Sequence, residues 1–240
     1  MKKKLLTVML AVVLTLGCFA GLLACNGDGD NAALDPEKVA SEKVADAEAW
    51  AKAFDYSEMT NGTIKVTMKS SNENRTRETV SDVLIDSDKI YQDGTRTTKY
   101  AGEDAPETVV YKGYIVKDGD SCYTCDYYED RDKFIKREFE PDYFDFTVED
   151  FVKSHIDGIR FNSFENFSDF TYNDDKGAYI ASVEMHGDTY GVEIKIINGK
   201  ARYIKIAYNG EDESEFMSLY ICDIGETVIT LPPEDKIIEE

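Results

Sequence analysis

The sequence predicts an α+β domain in which an antiparallel sheet packs against two amphipathic helices. Three observations carry this expectation. After residue 61 the apolar residues recur mostly at every second position in short runs, the period of a strand with one buried face and one wet face. Brief segments of Asp, Asn, Ser, Gly and Pro separate those runs, without the helical intervals that the βαβ units of a parallel sheet require. Around residues 36–54 and 147–159 the apolar spacing lengthens to three and four, the period of an amphipathic helix.

The first helix is expected to start at Asp35, a capping residue, with Pro36 at the first helical position, where its missing N–H costs nothing. Ala40, Val44, Ala47, Ala51 and Phe54 line its apolar face, with Trp50 beside them. Asn61-Gly62 marks a turn, after which Ile64, Val66 and Met68 alternate with Lys65, Thr67 and Lys69. Further strands are expected over residues 78–85, 89–92, 95–100, 108–111, 111–117 and 121–128, the last two flanking the hairpin signal Asp118-Gly119. A second helix is expected after Thr147, which caps it with Asp150 three residues on, approximating a capping box. Phe146 and Phe151 are spaced as a hydrophobic staple, and Val148, Val152, Ile156 and Ile159 complete the stripe before an end near Asp157-Gly158. Strand signals return at 179–185, 190–197, 202–208, 217–221 and 227–231, with Asn198-Gly199 as the strongest turn of the chain.

This order of elements, with the closing run Asp223-Ile224-Gly225-Glu226-Thr227-Val228-Ile229-Thr230-Leu231-Pro232, resembles the outer-membrane lipoprotein carrier protein and its relatives, including mycobacterial lipid-binding lipoproteins. The resemblance covers roughly residues 36–233. Removal of residues 1–24 leaves a length that suits one sizeable domain or at most two small ones, and a single domain over residues 35–240 is the simpler reading. The resemblance implies that this domain is a curved antiparallel β-sheet (half-barrel) cupping two amphipathic helices. It also implies that the space between sheet and helices accepts acyl chains or other apolar ligands.

Residues 1–24 have the layout of a secretory signal: Lys2, Lys3 and Lys4, an apolar run from Leu5 to Leu16, then small residues. The run is short and wrongly flanked for a permanent spanning helix. Leu22-Leu23-Ala24-Cys25 is similar to the lipobox of bacterial lipoproteins, although Leu23 is bulkier than the Ala or Ser usual there. That similarity implies lipid on the Cys25 thiol and cleavage before Cys25, with acylation of the new amino terminus. The alternative is ordinary cleavage after Ala20 or Ala24, with free secretion and an incidental Cys25. Residues 25–34 are expected to be a lipid-anchored flexible tether rich in Gly, Asp and Asn. The expected location is the extracytoplasmic face of a bacterial cell membrane.

The formal charge is -21, and a signal carrying three lysines and no acid leaves a mature chain that is more acidic still. Such a chain repels nucleic acid and anionic headgroups. Membrane attachment through Cys25 therefore relies on acyl chains, each buried methylene contributing about 0.8 kcal/mol, and more than one chain is needed for a stable anchor.

Candidate chemistry is sparse. Cys122-Tyr123-Thr124-Cys125 has the spacing of a dithiol or half a zinc site, but a strand would point the two sulfurs to opposite faces, and neither a second pair nor a histidine partner is evident. Packing, or one disulfide from Cys122 or Cys125 to Cys222, is the expected use of these thiols. His155 falls near the apolar stripe of the second helix, where packing is expected, and His186 precedes Gly187-Asp188 in a turn. Glu129-Asp130 and the acids from Glu211 to Glu215 are expected to be a solvated negative face. The aromatic run Tyr123, Tyr127, Tyr128, Phe134, Phe139, Tyr143, Phe144 and Phe146 suits cross-strand packing, with ligand lining as the alternative.

The sequence thus points to no catalytic residue, cofactor or metal and to a non-enzymatic, membrane-anchored lipoprotein that binds or carries an apolar or amphiphilic ligand. A surface interaction or scaffold lipoprotein that contacts an exported protein is the alternative. An enzyme with an unrecognised carboxylate site is the third expectation.

Overall fold

In the computed structural model, which describes residues 35–139, 147–157, 166–185, 188–208 and 214–239, short turns fold the chain back on itself into long antiparallel hairpins. Strands β1 (Asn61–Asn72), β2 (Arg75–Asp86), β3 (Lys89–Tyr100), β4 (Glu107–Asp118), β5 (Ser121–Tyr128) and β6 (Lys133–Phe139) form one meander. Strands β7 (Thr171–Asn173), β8 (Ala178–Met185), β9 (Asp188–Ile197), β10 (Lys200–Tyr208) and β11 (Phe216–Cys222) form a second.

The turns have local causes. The Asn72 side-chain oxygen accepts from the Asn74 and Arg75 amides at 3.0 Å each and closes the first hairpin. Asn198 (φ 51°) and Gly199 (φ 70°) join β9 to β10 in the left-handed conformation their residue types favour. The Glu42 carboxylate then accepts both of their amide protons, at 2.7 and 3.0 Å.

Antiparallel pairing of β1 with β11 joins the meanders into one twelve-stranded sheet. Its order is β12-β6-β5-β4-β3-β2-β1-β11-β10-β9-β8-β7, where β12 (Ile237–Glu239) adds to β6 as a parallel edge. The half-barrel expectation is overturned here: the sheet is open, not strongly curled, and ends on two unrelated edges, β7 and β12. Strong curvature is built with bulges and glycine kinks. The pairing of β1 with β2 runs without a break from Asn61↔Asp86 to Asn72↔Arg75, and that of β2 with β3 from Arg75↔Tyr100 to Asp86↔Lys89. A register shift occurs between β9 and β10, at Ala201/Tyr203.

The first helix is shorter than its expected span and starts later. Helix α1 (Ala47–Ala53) starts after Asp46, whose carboxylate accepts the Ala49 amide at 2.9 Å, and not after Asp35. Tertiary hydrogen bonds hold residues 36–42 instead. The buried Lys195 ammonium donates to the Pro36 and Glu37 carbonyls at 3.0 and 2.9 Å, the Ser41 amide to Gly177 O at 2.6 Å, and the Glu42 amide to Ile196 O at 2.8 Å. Helix α2 (Val148–Asp157) begins as expected: Thr147 Oγ1 accepts the Asp150 amide at 3.0 Å and donates to the Asp150 carboxylate. Phe146 and Gly158 lie outside the described residues.

Strand alternation sorts the apolar side chains to two faces. On the helix side, Trp50 of α1, Val148 of α2 and Ile64, Ile194 and Leu219 of the sheet are fully buried in one core, each such side chain contributing roughly 1.5–3 kcal/mol of transfer free energy. On the opposite face a smaller core gathers Tyr114, Val116, Cys125, Phe134 and Ile229. Ile229 belongs to a strap that leaves β11 and crosses to β6. Thr227 Oγ1 contacts Thr63 Oγ1 at 3.2 Å on the way, and Lys236 pairs with Asp132 at the far end. Residues 227–231 are therefore not the strand expected.

Candidate functional site

The most distinctive polar arrangement lies on the helix-side face, beyond the buried core, where β1 to β4 continue as exposed sheet. Register decides its membership. Met68 pairs with Met217 of β11 and with Thr79 of β2, Thr79 with Arg96 of β3, and Ser70 with Arg77. Alternation then places Met68, Arg77, Arg96, Tyr111 and Met217 on one face, where they line a depression of about 540 Å³. A second depression of about 350 Å³, over Ile90 and Ile115, adjoins it and shares Tyr111.

Tyr111 is positioned by a missing side chain. It stands opposite Gly94, and a Cβ at Gly94 would come within 2.7 Å of the Tyr111 hydroxyl, 2.6 Å of Ser81 Cβ and 2.7 Å of Val80 O. Gly94→Ala is expected to destabilise the fold by about 1–3 kcal/mol, the range for overpacking a filled site, and to displace the Tyr111 ring. Urea unfolding and the Tyr111 ring resonances measure the two effects, and an unchanged midpoint would show that the strands part freely here.

The charges of this depression are not balanced internally. Arg77 Nε is buried and has no hydrogen-bond partner. Among the described residues neither Arg77 nor Arg96 forms an ion pair, although the chain holds 48 acidic residues against 27 basic ones. Glu107 faces the same side, separated from Arg77 by Thr98, and does not pair with it. On the opposite face Lys65 does find Asp82, at 3.0 Å. A third depression, of about 390 Å³, sets Lys205 of β10 directly opposite Glu193 of β9, so its charges are matched in place.

The residues singled out by sequence fall elsewhere. Cys25 and the signal and tether segments lie outside the described residues, as do His186, Glu211, Tyr143 and Phe144. His155 falls on α2. Cys122, Cys125 and Cys222 are buried and not joined in a disulfide, so packing is their use. Cys122 and Cys125 enter the cores on opposite faces, and burial pushes the Cys125 thiol pKa up, away from reactive thiolate. Glu129 and Asp130 are exposed turn residues, and Glu215 accepts the Ser71 amide at 3.2 Å.

Among the described residues of the aromatic run, Tyr123, Tyr127, Phe134 and Phe139 pack at the two cores, and Tyr127 and Tyr128 also line the second depression. Tyr127 and Phe134 pack at 5.2 Å between ring centroids and Tyr114 and Phe134 at 5.4 Å, while Tyr91 joins Tyr114 at 4.5 Å. Burial, and then a 2.8 Å hydrogen bond to Asp93, raise the Tyr91 phenol above its ordinary range.

No motif marks Arg77 and Arg96. The available signal is statistical: Arg75 and Arg77 share a strand face in a chain otherwise dominated by acids. Among the described residues no group of side chains is arranged to hold a metal ion, and no helix is long and apolar enough to cross a membrane. No protein-family model matches the chain, and no curated protein matches it.

Proposed function

We propose that this protein is a lipid-anchored extracytoplasmic lipoprotein whose sheet binds an amphiphilic ligand. The anchor is Cys25, in the segment Leu22-Leu23-Ala24-Cys25. The observation that supports ligand binding is the 540 Å³ depression beside Met68 and Met217, within the size range of small-molecule sites. Methionine side chains are unbranched and polarizable and adapt to irregular apolar ligands. The binding place is the exposed face of an open sheet. Among the described residues the space between helices and sheet is occupied by Trp50 and its neighbours.

A second function, protein docking, has its own support on the other face. Val80 and Val110 are 45% and 39% exposed there and are aligned through Thr95, an apolar row of the kind that meets a partner.

Native mass spectrometry of the full chain extracted from membranes tests the proposal, before and after mild lipid stripping. A reproducible noncovalent amphiphile on the acylated chain is expected, and a folded, fully acylated chain without one would count against ligand binding. Fractionation tests the anchor independently. Cys25→Ser should move the protein from the membrane pellet to the soluble fraction, because loss of the acyl chains removes the dominant attraction to the bilayer. Retention in the pellet would show a different anchor.

A further inference from the structure

We infer that Arg77 and Arg96 hold the oxyanion headgroup, carboxylate or phosphate, of an amphiphile whose apolar chain lies over Met68 and Met217. This inference rests on the amphiphile-binding function proposed above and adds the chemistry of the headgroup.

Geometry brings the two cations together. Arg77 lies opposite Thr98, and Arg96 is two residues before Thr98 on the same face of β3, so the arginines are diagonal cross-strand neighbours within reach of one small group. Each guanidinium is a planar fork that pairs with two oxygens of a carboxylate or phosphate and offers donors only. A neutral sugar or alcohol would leave that charge uncompensated. The buried Arg77 Nε lacks an acceptor in the protein, and a buried donor left unmade is costly. An oxyanion supplies the acceptor.

Electrostatics narrows the ligand further. Two like charges side by side repel, and in a chain of net charge -21 nearby carboxylates could have neutralised them. Glu107, the acid on this face beyond Thr98, leaves both arginines unpaired. A small anion is attracted by the local pair, whereas an extended polyanion is repelled by the surrounding acidic surface. The apolar part of the ligand has its own floor in Met68, Met217 and the ring of Tyr111.

Calorimetric titration of the full chain held in nanodiscs, with empty nanodiscs as the blank, tests the assignment using octyl phosphate, octanoate, octanol and inorganic phosphate. Octyl phosphate and octanoate are expected to bind more tightly than octanol. The double variant Arg77→Gln/Arg96→Gln should weaken the two anions by roughly ten- to a hundredfold, the range for loss of charge-assisted hydrogen bonds, and leave octanol unchanged. The single variant Arg96→Gln, at an exposed position, should give a smaller loss in the same direction without the burial of Arg77 at stake. Far-ultraviolet circular dichroism checks that each variant keeps its sheet.

Equal affinity for octanol and octyl phosphate, or anion binding indifferent to both variants in a folded protein, overturns the headgroup assignment and leaves amphiphile binding standing. Absence of binding by every octyl compound overturns both. Inorganic phosphate binding as tightly as octyl phosphate overturns the lipid source and identifies free phosphate as the ligand.

Discussion

Replacing Trp50 with alanine is expected to lower the unfolding free energy by about 3–5 kcal/mol, the range for deleting a large buried aromatic. Trp50 is 0% exposed. It is the side chain through which the short helix α1 reaches the sheet, and its ring packs against Phe54 at 5.2 Å, Phe167 at 5.5 Å, Phe170 at 4.8 Å and Tyr179 at 5.0 Å. Those partners come from three separated parts of the chain, so no single local shift fills the space left behind. Seven helical residues are too few to be stable without tertiary packing. The helix and the cavity should therefore fail together. Equilibrium urea unfolding measures the loss as a lower midpoint at unchanged slope. A loss below about 1 kcal/mol would mean that the aromatic cluster collapses into the gap and would remove Trp50 from the centre of this core.

Ile229→Ala is the second large effect, at about 2–5 kcal/mol, and its consequences should be local before they are global. Ile229 is 7% exposed and is the strap residue that joins Tyr114, Val116, Cys125 and Phe134 in the smaller core. Leu231 and Ile237 of the strap pack against the same core only in part, and its outer polar contacts, the Lys236–Asp132 pair and the Lys133 ammonium donating to the Asp235 carbonyl, are exposed. Exposed ion pairs contribute little, so the apolar contact carries most of the docking. Without it the strap and the parallel edge Ile237–Glu239 should open as a unit while the central hairpins keep their protection. Hydrogen exchange read strand by strand checks this. Faster exchange at Ile237–Glu239 and β6, with β1 and β2 unchanged, is the expected result. Uniform acceleration across the sheet would show that the smaller core and the large one are a single cooperative unit.

The parts of the fold legible in the sequence are those whose cause is local. Asn198-Gly199 turns the chain because those two residue types tolerate positive φ, and Thr147 caps α2 with an oxygen three residues from the amide it accepts. Strand alternation was equally plain, and it separated Cys122 from Cys125 on opposite faces, which removes the dithiol. Asn61-Gly62 shows the limit of such signals. A turn-favouring pair became the first two residues of β1 because β2 lies alongside to pair with them. Likewise the break expected after Gln92 is absent, since β3 runs on through Gly94 between two continuous neighbours.

The start of α1 could not be read locally. Residues 36–42 carry a helical period, but Lys195 and the backbone of Gly177 and Ile196, more than 130 residues away in sequence, hold them in another conformation. Sheet closure was beyond reach for a different reason. Alternation is the same in a half-barrel and in an open sheet, and what distinguishes them is the continuity of register, a property of pairs of strands.

By itself, then, the sequence determined the alternation of most strands, the Asn198-Gly199 turn, the cap of α2 and the strongly acidic character of the chain. Tertiary structure alone decided that the sheet stays open, that a strap crosses part of its second face, and that Arg77 and Arg96 stand on adjacent strands of one face. The physical reason is the same in each case. Periodicity assigns a side chain to a face of its own strand, but only pairing sets which strand lies beside it, and a site made of diagonal neighbours exists only once that register is set.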